Sequence, residues 1–194
     1  MLRLAPVTRA LLVANVLLFF AQAALPGVLE THFALWPAAS DLFAPWQLVS
    51  YAFLHGGLAH LLFNMFGLVS FGSELESWWG PRRYLAFYGA SVLSAALAQL
   101  AVTAALGENV PTVGASGGIY GLLLGFAMLF PRRRIMLIFP PIPMPAWLFV
   151  VLFGCLELYL GATGTRSGVA HFAHLGGMVG GFLVIRYWRS TGAR

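Results

Sequence analysis

Charge is what this sequence has least of. Charged residues make up 9% of its 194 positions and hydrophobic residues make up 60%, with a mean hydropathy of +0.84. A soluble globular domain carries roughly 25% charged residues, so the composition excludes an ordinary soluble protein. We therefore predict an integral membrane protein that contacts the lipid bilayer.

Cysteine and acidic residues are also scarce. Cys155 is the one cysteine, which excludes an intramolecular disulfide, and its apolar flanks predict a small core residue. Glu157 stands in the same apolar segment. A carboxylate at membrane depth is a functional candidate by default, and its alternative interpretation is a protonated or hydrogen-bonded carboxyl packed against a neighbour. We expect neither a cofactor nor a bound metal ion.

Six apolar segments reach the length of a membrane span, about 17 to 25 residues. They cover approximately residues 8–25, 52–72, 83–106, 114–130, 146–162 and 168–187. The two-residue alternation of barrel strands is absent from them, which favours helices. We expect an all-α membrane protein, a bundle of six transmembrane helices that forms a single domain over residues 1–194.

The basic residues are all arginines, and their distribution predicts the orientation. Ten of the eleven fall at the amino terminus, after the second and fourth segments, or at the carboxyl terminus: Arg3, Arg9, Arg82, Arg83, Arg132, Arg133, Arg134, Arg186, Arg189 and Arg194. Arg166 alone falls on the other side. Since cytoplasmic loops are enriched in basic residues, both termini are predicted to be cytoplasmic. No nucleic-acid partner is expected, because aromatic platforms do not alternate with these arginines.

The segment GASGGIYG, from Gly114 to Gly121, places one serine among four glycines at the start of the fourth apolar segment. Its first five residues fit G-x-S-x-G, the nucleophile turn of soluble α/β-hydrolases. That turn follows a β-strand, whereas a short loop between two membrane-length segments precedes Gly114 here. Small residues also allow membrane helices to pack closely without any chemistry. The segment alone leaves catalysis and packing open.

Polar residues gather near the start of the even-numbered segments, which begin at the outer face if the amino terminus is cytoplasmic. They are His55, His60, Asn64, Ser116 and His174. An unpaired polar group in hydrocarbon costs about 1 to 3 kcal/mol, so such groups face a bundle interior or a water-filled cavity. We predict one shared polar site near the outer leaflet.

Ser116 and His174 are the reactive pair of this predicted site. A serine hydroxyl needs a base to take its proton as it attacks a carbonyl, and histidine has a suitable pKa. The glycines at 176, 177, 180 and 181 would let the sixth helix approach the fourth closely. Because no acidic residue stands in a motif that ties it to His174, we predict a Ser-His dyad and not a triad.

The oxyanion that develops during such an attack needs hydrogen-bond donors. His60 and Asn64 are four residues apart, on one face of a helix, and the backbone N–H of Ser116 is a third donor. Tyr120 has the same spacing from Ser116, which places its ring one helical turn below the serine.

Three segments together resemble the rhomboid intramembrane serine proteases. They are HGGLAHLLFN, GASGGIYG and AHFAHLGGMVGG, which begin at His55, Gly114 and Ala170. They are similar to the family's H-x-x-x-N segment on helix 2, its G-x-S-G motif on helix 4 and its A-H-x-x-G-x-x-x-G motif on helix 6. The resemblance covers most of the chain from about Phe43 onward.

The resemblance implies an endopeptidase that cleaves transmembrane helices of membrane-protein substrates near the outer face through an acyl-enzyme. It implies Ser116 as nucleophile and His174 as general base. It further implies His60 and Asn64 as oxyanion donors, with Tyr120 packed against the catalytic histidine.

The remaining motif residues receive supporting roles or none. His55 is similar to the family's first histidine in its segment, which is mainly structural, and His171 receives no role. Gly114 suggests a narrow approach to the serine, and Gly177 serves packing.

Two other functions are weighed against proteolysis. A catalytically inactive relative that binds transmembrane helices would be expected to lack the serine or the histidine, and both are present. A transporter would favour broken helices, charged midplane residues or repeated halves. We expect a bacterial inner membrane, because six spans occur without the extra helix or targeting segment of some eukaryotic relatives.

Overall fold

Helices dominate the computed structural model, which describes residues 4–136, 141–164 and 170–192. Within these ranges the helices are α1 (Pro6–Ala24), α2 (Val28–Phe33), α3 (Gln47–Ser50), α4 (Leu58–Gly67), α5 (Ser73–Trp79), α6 (Pro81–Leu106), α7 (Ser116–Leu129), α8 (Ala146–Thr163) and α9 (His171–Ser190). A 3₁₀ turn, Tyr51–Phe53, precedes α4, and a π-helical segment, Leu68–Gly72, joins α4 to α5. Arg3, Arg166 and Arg194, which contributed to the predicted orientation, lie outside the described residues.

Four helices in the described part of the chain are long and apolar enough to cross a membrane. They are α1, the continuous helix Leu58–Trp79, α6 and α8. The fourth predicted span is the shorter apolar helix α7, whose 14 residues measure about 21 Å at the usual rise. The sixth is α9, where two histidines and two arginines lower the hydropathy. The chain is a multi-pass membrane protein, and the count of six spans stays a prediction.

The second span differs most from its predicted bounds of 52–72. Its helix begins at Leu58, after the Gly56-Gly57 pair, and continues through the π-helical segment to Trp79. Glycine is a poor helix former, which explains the later start. Hydropathy suggested an early end because Ser73 begins a polar run, yet that run is helical. His55 therefore precedes the membrane-length helix.

The all-α prediction is wrong at one connection. Between α7 and α8, β1 (Arg134–Met136) pairs antiparallel with β2 (Pro143–Pro145), and Ile135 lies opposite Met144. Prolines lack the N–H that a helix interior needs but are tolerated in edge strands, which explains why this segment forms a short hairpin.

The prediction that Cys155 is a core residue is also wrong, since the residue is exposed on α8. Its neighbours Val151, Leu152 and Leu156 are exposed as well. An apolar exposed surface on a membrane-length helix suits contact with lipid. The side of α8 that carries Cys155 therefore faces outward.

Glu76 holds the start of α1 against α5. The N-cap residue of α1, Ala5, makes no side-chain hydrogen bond to the helix end. Instead, Val7 N–H and Thr8 N–H donate to the Glu76 carboxylate at 2.8 Å each, and the Thr8 hydroxyl donates at 2.9 Å. A carboxylate is favourable at a helix N-terminus, where backbone N–H groups lack partners within the helix. Glu76, which is 2% exposed, thus caps a helix that lies far from it in sequence.

Two contacts bring arginine-bearing helix ends together. Arg133, which follows α7, pairs with Glu74 at 2.6 Å, near the start of α5. Arg189, near the end of α9, donates to the carbonyl of Met128 at 3.4 Å. The end of α7, α5 and the end of α9 therefore share one end of the bundle, opposite the starts of α7 and α9.

Glycines set how closely α9 approaches its two main neighbours. A Cβ atom added at Gly177 would lie 1.9 Å from the backbone oxygen of Gly117 on α7. One added at Gly176 would lie 2.4 Å from the Ala98 Cβ atom on α6, and Gly180 likewise faces Ser94 on α6. The prediction of close packing is therefore confirmed for Gly177, whereas Gly176 and Gly180 serve the contact with α6.

Candidate active site

Ser116 and His174 meet at the starts of α7 and α9. Ser116 is the first residue of α7, and His174 lies in the first turn of α9. The Oγ atom of Ser116 is 2.7 Å from the Nε2 atom of His174, a hydrogen-bond distance. The crossing of Gly117 and Gly177 explains this contact, because these glycines follow the two residues by one and three positions.

The ring of Tyr120 stacks on the ring of His174. Their centroids are 4.2 Å apart and their planes differ by 5°. Tyr120 lies one turn along α7 from Ser116, as its spacing predicted. The stacked ring restricts the orientation of the imidazole whose Nε2 atom contacts the serine.

Gly114 lies directly before the turn at Ala115 that leads into Ser116. Its φ of +128° is one that residues with a side chain rarely adopt, and its N–H donates to the Tyr51 carbonyl at 2.9 Å. A Cβ atom at this position would lie 2.8 Å from His60 Nε2 and 3.7 Å from Asn64 Nδ2. The side chains of His60 and Asn64 therefore converge on the turn that leads to the serine.

Both convergent nitrogens can donate hydrogen bonds. The Gly56 N–H donates to His60 Nδ1 at 3.4 Å, so the ring hydrogen belongs on Nε2, the atom that faces Gly114. The Asn64 amide nitrogen is buried and has no hydrogen-bond partner among the described residues. A buried donor without a partner is costly, which makes it available to an incoming acceptor.

His55 supports His60 from the loop ahead of α4. The two rings meet edge to face, with centroids 5.1 Å apart. Burial, together with a smaller contribution from the neighbouring His60, lowers the pKa of His55 to about 4. His55 is therefore neutral near neutral pH, and it packs as an aromatic ring.

Glu157 is the functional candidate whose contacts the sequence did not reveal. Its Oε2 atom lies 2.6 Å from His171 Nδ1 and 3.0 Å from His174 Nδ1, and the Tyr120 hydroxyl donates to its Oε1 atom. The side chain is buried, at 6% exposure. The prediction that no acid is associated with His174 is wrong, because α8 brings this carboxylate to the Nδ1 edge of the imidazole, whereas Ser116 contacts Nε2.

The sequence model of the family named Rhomboid domain matches residues 43–190, about three quarters of this sequence. The chain belongs to the rhomboid family. This result confirms the resemblance that the three motifs indicated, and all the candidate site residues lie within the matched region of this rhomboid.

Relatives of this rhomboid occur in fungi, bacteria and animals. Rhomboid protein 1, mitochondrial, of Saccharomyces cerevisiae is 33% identical over 140 residues, covering 71% of this chain and 40% of the relative. Rhomboid protease GluP of Bacillus subtilis is 28% identical over 137 residues, covering 71% and 25%. Presenilin-associated rhomboid-like protein, mitochondrial, of Bos taurus is 27% identical over 185 residues, covering 91% and 47%. The chain thus spans less than half the length of these relatives.

Glu157, His171 and His174 of this rhomboid are also a possible set of metal ligands. One donor atom from each lies within 4.8 Å of the others. Tetrahedral zinc with bonds of about 2.0 to 2.1 Å holds its ligand atoms about 3.4 Å apart. The separation of 2.6 Å between Oε2 and His171 Nδ1 is shorter and fits a shared hydrogen. The arrangement is thus explained by hydrogen bonding, and the absence of a metal stays a prediction.

Proposed function

We propose that this rhomboid is an intramembrane serine endopeptidase that cleaves transmembrane helices of membrane-protein substrates. The contact of 2.7 Å between Ser116 Oγ and His174 Nε2 carries the proposal. In this proposal the chain is a single domain of six membrane helices with both termini in the cytoplasm. Since α7 packs between other helices of the bundle, its 14 residues need not match the lipid thickness.

Ser116 acts as the nucleophile and His174 as the general base. As Oγ attacks the substrate carbonyl carbon, its proton passes to Nε2 and the carbonyl oxygen becomes an oxyanion. His174 then gives that proton to the leaving nitrogen as the C–N bond breaks, which leaves an acyl-enzyme on Ser116. A water molecule repeats the sequence and releases the second product.

The oxyanion is stabilised by donors around the Gly114 turn. His60 Nε2–H and the Asn64 amide approach the turn from α4, and their convergence supports this assignment. The backbone N–H of Ser116 is the third donor, since the first N–H groups of a helix lack partners within it.

Serine labelling provides the direct test of this function. The purified chain in detergent should react with a fluorophosphonate and cleave a single-span substrate, whereas Ser116→Ala should do neither and remain folded. Ser77→Ala is the matched control, since this serine is exposed and its hydroxyl donates only locally, to Ser73 O at 2.7 Å. Substantial cleavage by Ser116→Ala would sink the assignment. Helix binding without labelling or cleavage would favour the inactive relative instead.

The depth of the site predicts where a substrate is cut. Ser116 begins α7, at the end of the bundle opposite Arg133 and Arg189, so the scissile bond should lie near the outer end of the substrate helix. A helical carbonyl is already hydrogen-bonded, so the substrate must unwind locally, and Gly or Pro near the site should ease this by about 1 to 3 kcal/mol. Mass spectrometry of products from substrates with a displaced Gly-containing segment tests this. Efficient cutting at the cytoplasmic end would contradict it.

We propose the cellular location only as far as a membrane. The Saccharomyces and Bos relatives are mitochondrial by name, while GluP is from Bacillus. These relatives give no support to a bacterial inner membrane in particular. We therefore propose a multi-pass membrane protein without choosing the membrane.

A further inference from the structure

We infer that Glu157 is a positioning residue for His174, so that the working unit is a triad of Ser116, His174 and Glu157 and not a dyad. This inference rests on the proposed function, because it assigns a task to the base of that reaction. Its basis is geometric: the serine oxygen and the carboxylate oxygen approach opposite nitrogens of one imidazole, at 2.7 Å and 3.0 Å.

Hydrogen-bonding groups from two neighbouring helices are directed at the carboxyl group of Glu157. Its carboxyl group accepts from the Tyr120 hydroxyl at Oε1 and lies at hydrogen-bond distance from His171 Nδ1 at Oε2. These partners belong to α7 and α9, while Glu157 belongs to α8. Donors directed at a buried carboxylate stabilise its charge, so three helices fix an anion beside His174.

That anion selects the reactive tautomer of His174. A carboxylate beside Nδ1 favours a hydrogen on Nδ1, which leaves Nε2 with a free lone pair toward the Ser116 hydroxyl. When Nε2 takes the serine proton, the imidazolium faces the carboxylate across 3.0 Å, and the attraction is strong where water is excluded. Glu157 gains no proton in this step, since its task is to orient and stabilise the ring.

The contact between Glu157 Oε2 and His174 Nδ1 is not well aligned, and we expect its geometry to change during catalysis. Oε2 lies off the direction of a hydrogen on His174 Nδ1, so the contact is short but bent. Such bonds are often poorly aligned without substrate and tighten when substrate binds. His171 holds Glu157 Oε2 beside His174 through its own contact of 2.6 Å. This contact gives a role to a histidine that the motifs left unassigned.

A pH profile separates this role from simple packing. The titratable groups that face His174 are Glu157 from α8, Tyr120 from α7, His60 from α4 and His171 from its own helix. Of these, Glu157 is the anion in our assignment. Its removal should make protonation of His174 harder, so the acid limb of the kcat/KM profile should move to lower pH.

The experiment compares Glu157→Gln, Glu157→Asp and the wild-type chain, each purified in detergent, on one single-span substrate. Glu157→Gln should lower kcat by about 10² to 10³-fold with a smaller change in KM, and should shift the acid limb downward. Glu157→Asp keeps the charge one methylene further away and should recover part of both losses. Glu76→Gln is the matched control, because it neutralises another buried carboxylate, which caps α1. It should lower the melting temperature and leave the acid limb in place.

The outcomes distinguish this inference from the function on which it rests. An active wild type, an inactive Ser116→Ala and a Glu157→Gln variant with unchanged kcat and acid limb would overturn the role of Glu157 alone. If Glu157→Gln does not fold, a Glu157→Asp variant that loses kcat while its acid limb stays at the wild-type pH would overturn it, because the loss would then come from packing. Activity lost in a chelator and restored by Zn²⁺ would also overturn it, in favour of a metal site. An inactive wild type or an active Ser116→Ala would overturn the proposed function itself.

Discussion

Gly177→Ala should separate the two reactive side chains without touching either. The added methyl would lie 1.9 Å from the Gly117 carbonyl oxygen, whereas ordinary contact begins at 3.4 Å. Since the obstacle is backbone, α9 must retreat from α7 by about 1.5 Å unless the strain is spread along both helices. His174 lies on the same helix, three residues earlier, and moves with it.

The expected cost follows from this displacement. A shift near that size extends the Ser116 Oγ to His174 Nε2 distance from 2.7 Å to about 4 Å, beyond hydrogen-bond range. A misplacement of about 1 Å can lower catalysis about 100-fold, and overpacking costs about 1 to 3 kcal/mol of stability. Gly177→Ala should therefore lose about two orders of magnitude in kcat and melt at a lower temperature.

The assay combines initial cleavage rates with thermal unfolding in detergent. Gly154→Ala on α8 is the matched control, since its added methyl would meet the sulfur of Met178 on α9 at 3.8 Å, which is an ordinary contact. Alanine favours helix over glycine by about 1 kcal/mol, so this variant should be as stable as the wild type or more so. Wild-type cleavage by Gly177→Ala would refute the argument that this crossing sets the Ser116 to His174 distance.

Four further substitutions test the turn and the donors. Gly114→Ala imposes a side chain at φ +128° and at 2.8 Å from His60, so kcat should fall at least about 10-fold, measured by initial rates. His60→Ala and Asn64→Ala should each lower kcat by up to about 10² to 10³-fold with folding retained, and unchanged kcat in both single variants and the double variant would assign them to packing. Tyr51→Phe removes a hydrogen bond of 2.9 Å to the Val92 carbonyl, and thermal unfolding should show a loss of about 1 kcal/mol with little change in KM.

Local patterns in the sequence were sufficient to predict the helical segments and the residues around Ser116. Hydropathy locates α1, α6 and α8 to within a few residues, because each is bounded by glycine, proline or a polar run. It fails at the end of the second span, where Glu76 is buried by donors from α1, 68 and 69 residues earlier. A hydrogen-bond donor that far away in the sequence produces no periodic pattern in the residues around the carboxylate.

The partners of Glu157 within the site could not be predicted from the sequence for the same reason. Its contacts to Tyr120 and His171 join positions 37 and 14 residues apart on three different helices. A carboxylate in an apolar segment signals that some partner exists, but the identity of that partner depends on how α7, α8 and α9 pack. The Ser-His pair was predictable because glycine motifs accompany both residues, whereas no motif accompanies Glu157.

The cap on α1 shows that the region matched by the family model is shorter than the part of the chain that folds as one unit. The match to the family model begins at residue 43. Glu76 lies inside that region, yet its carboxylate accepts hydrogen bonds from the backbone N–H groups of Val7 and Thr8, which lie outside it. A fragment cut at residue 43 would leave this carboxylate facing the bundle interior without its donors, a penalty of several kcal/mol for a buried charge. Shared ancestry is therefore visible over a shorter stretch than cooperative folding requires, and we expect α1 to unfold together with the region that contains the reactive serine.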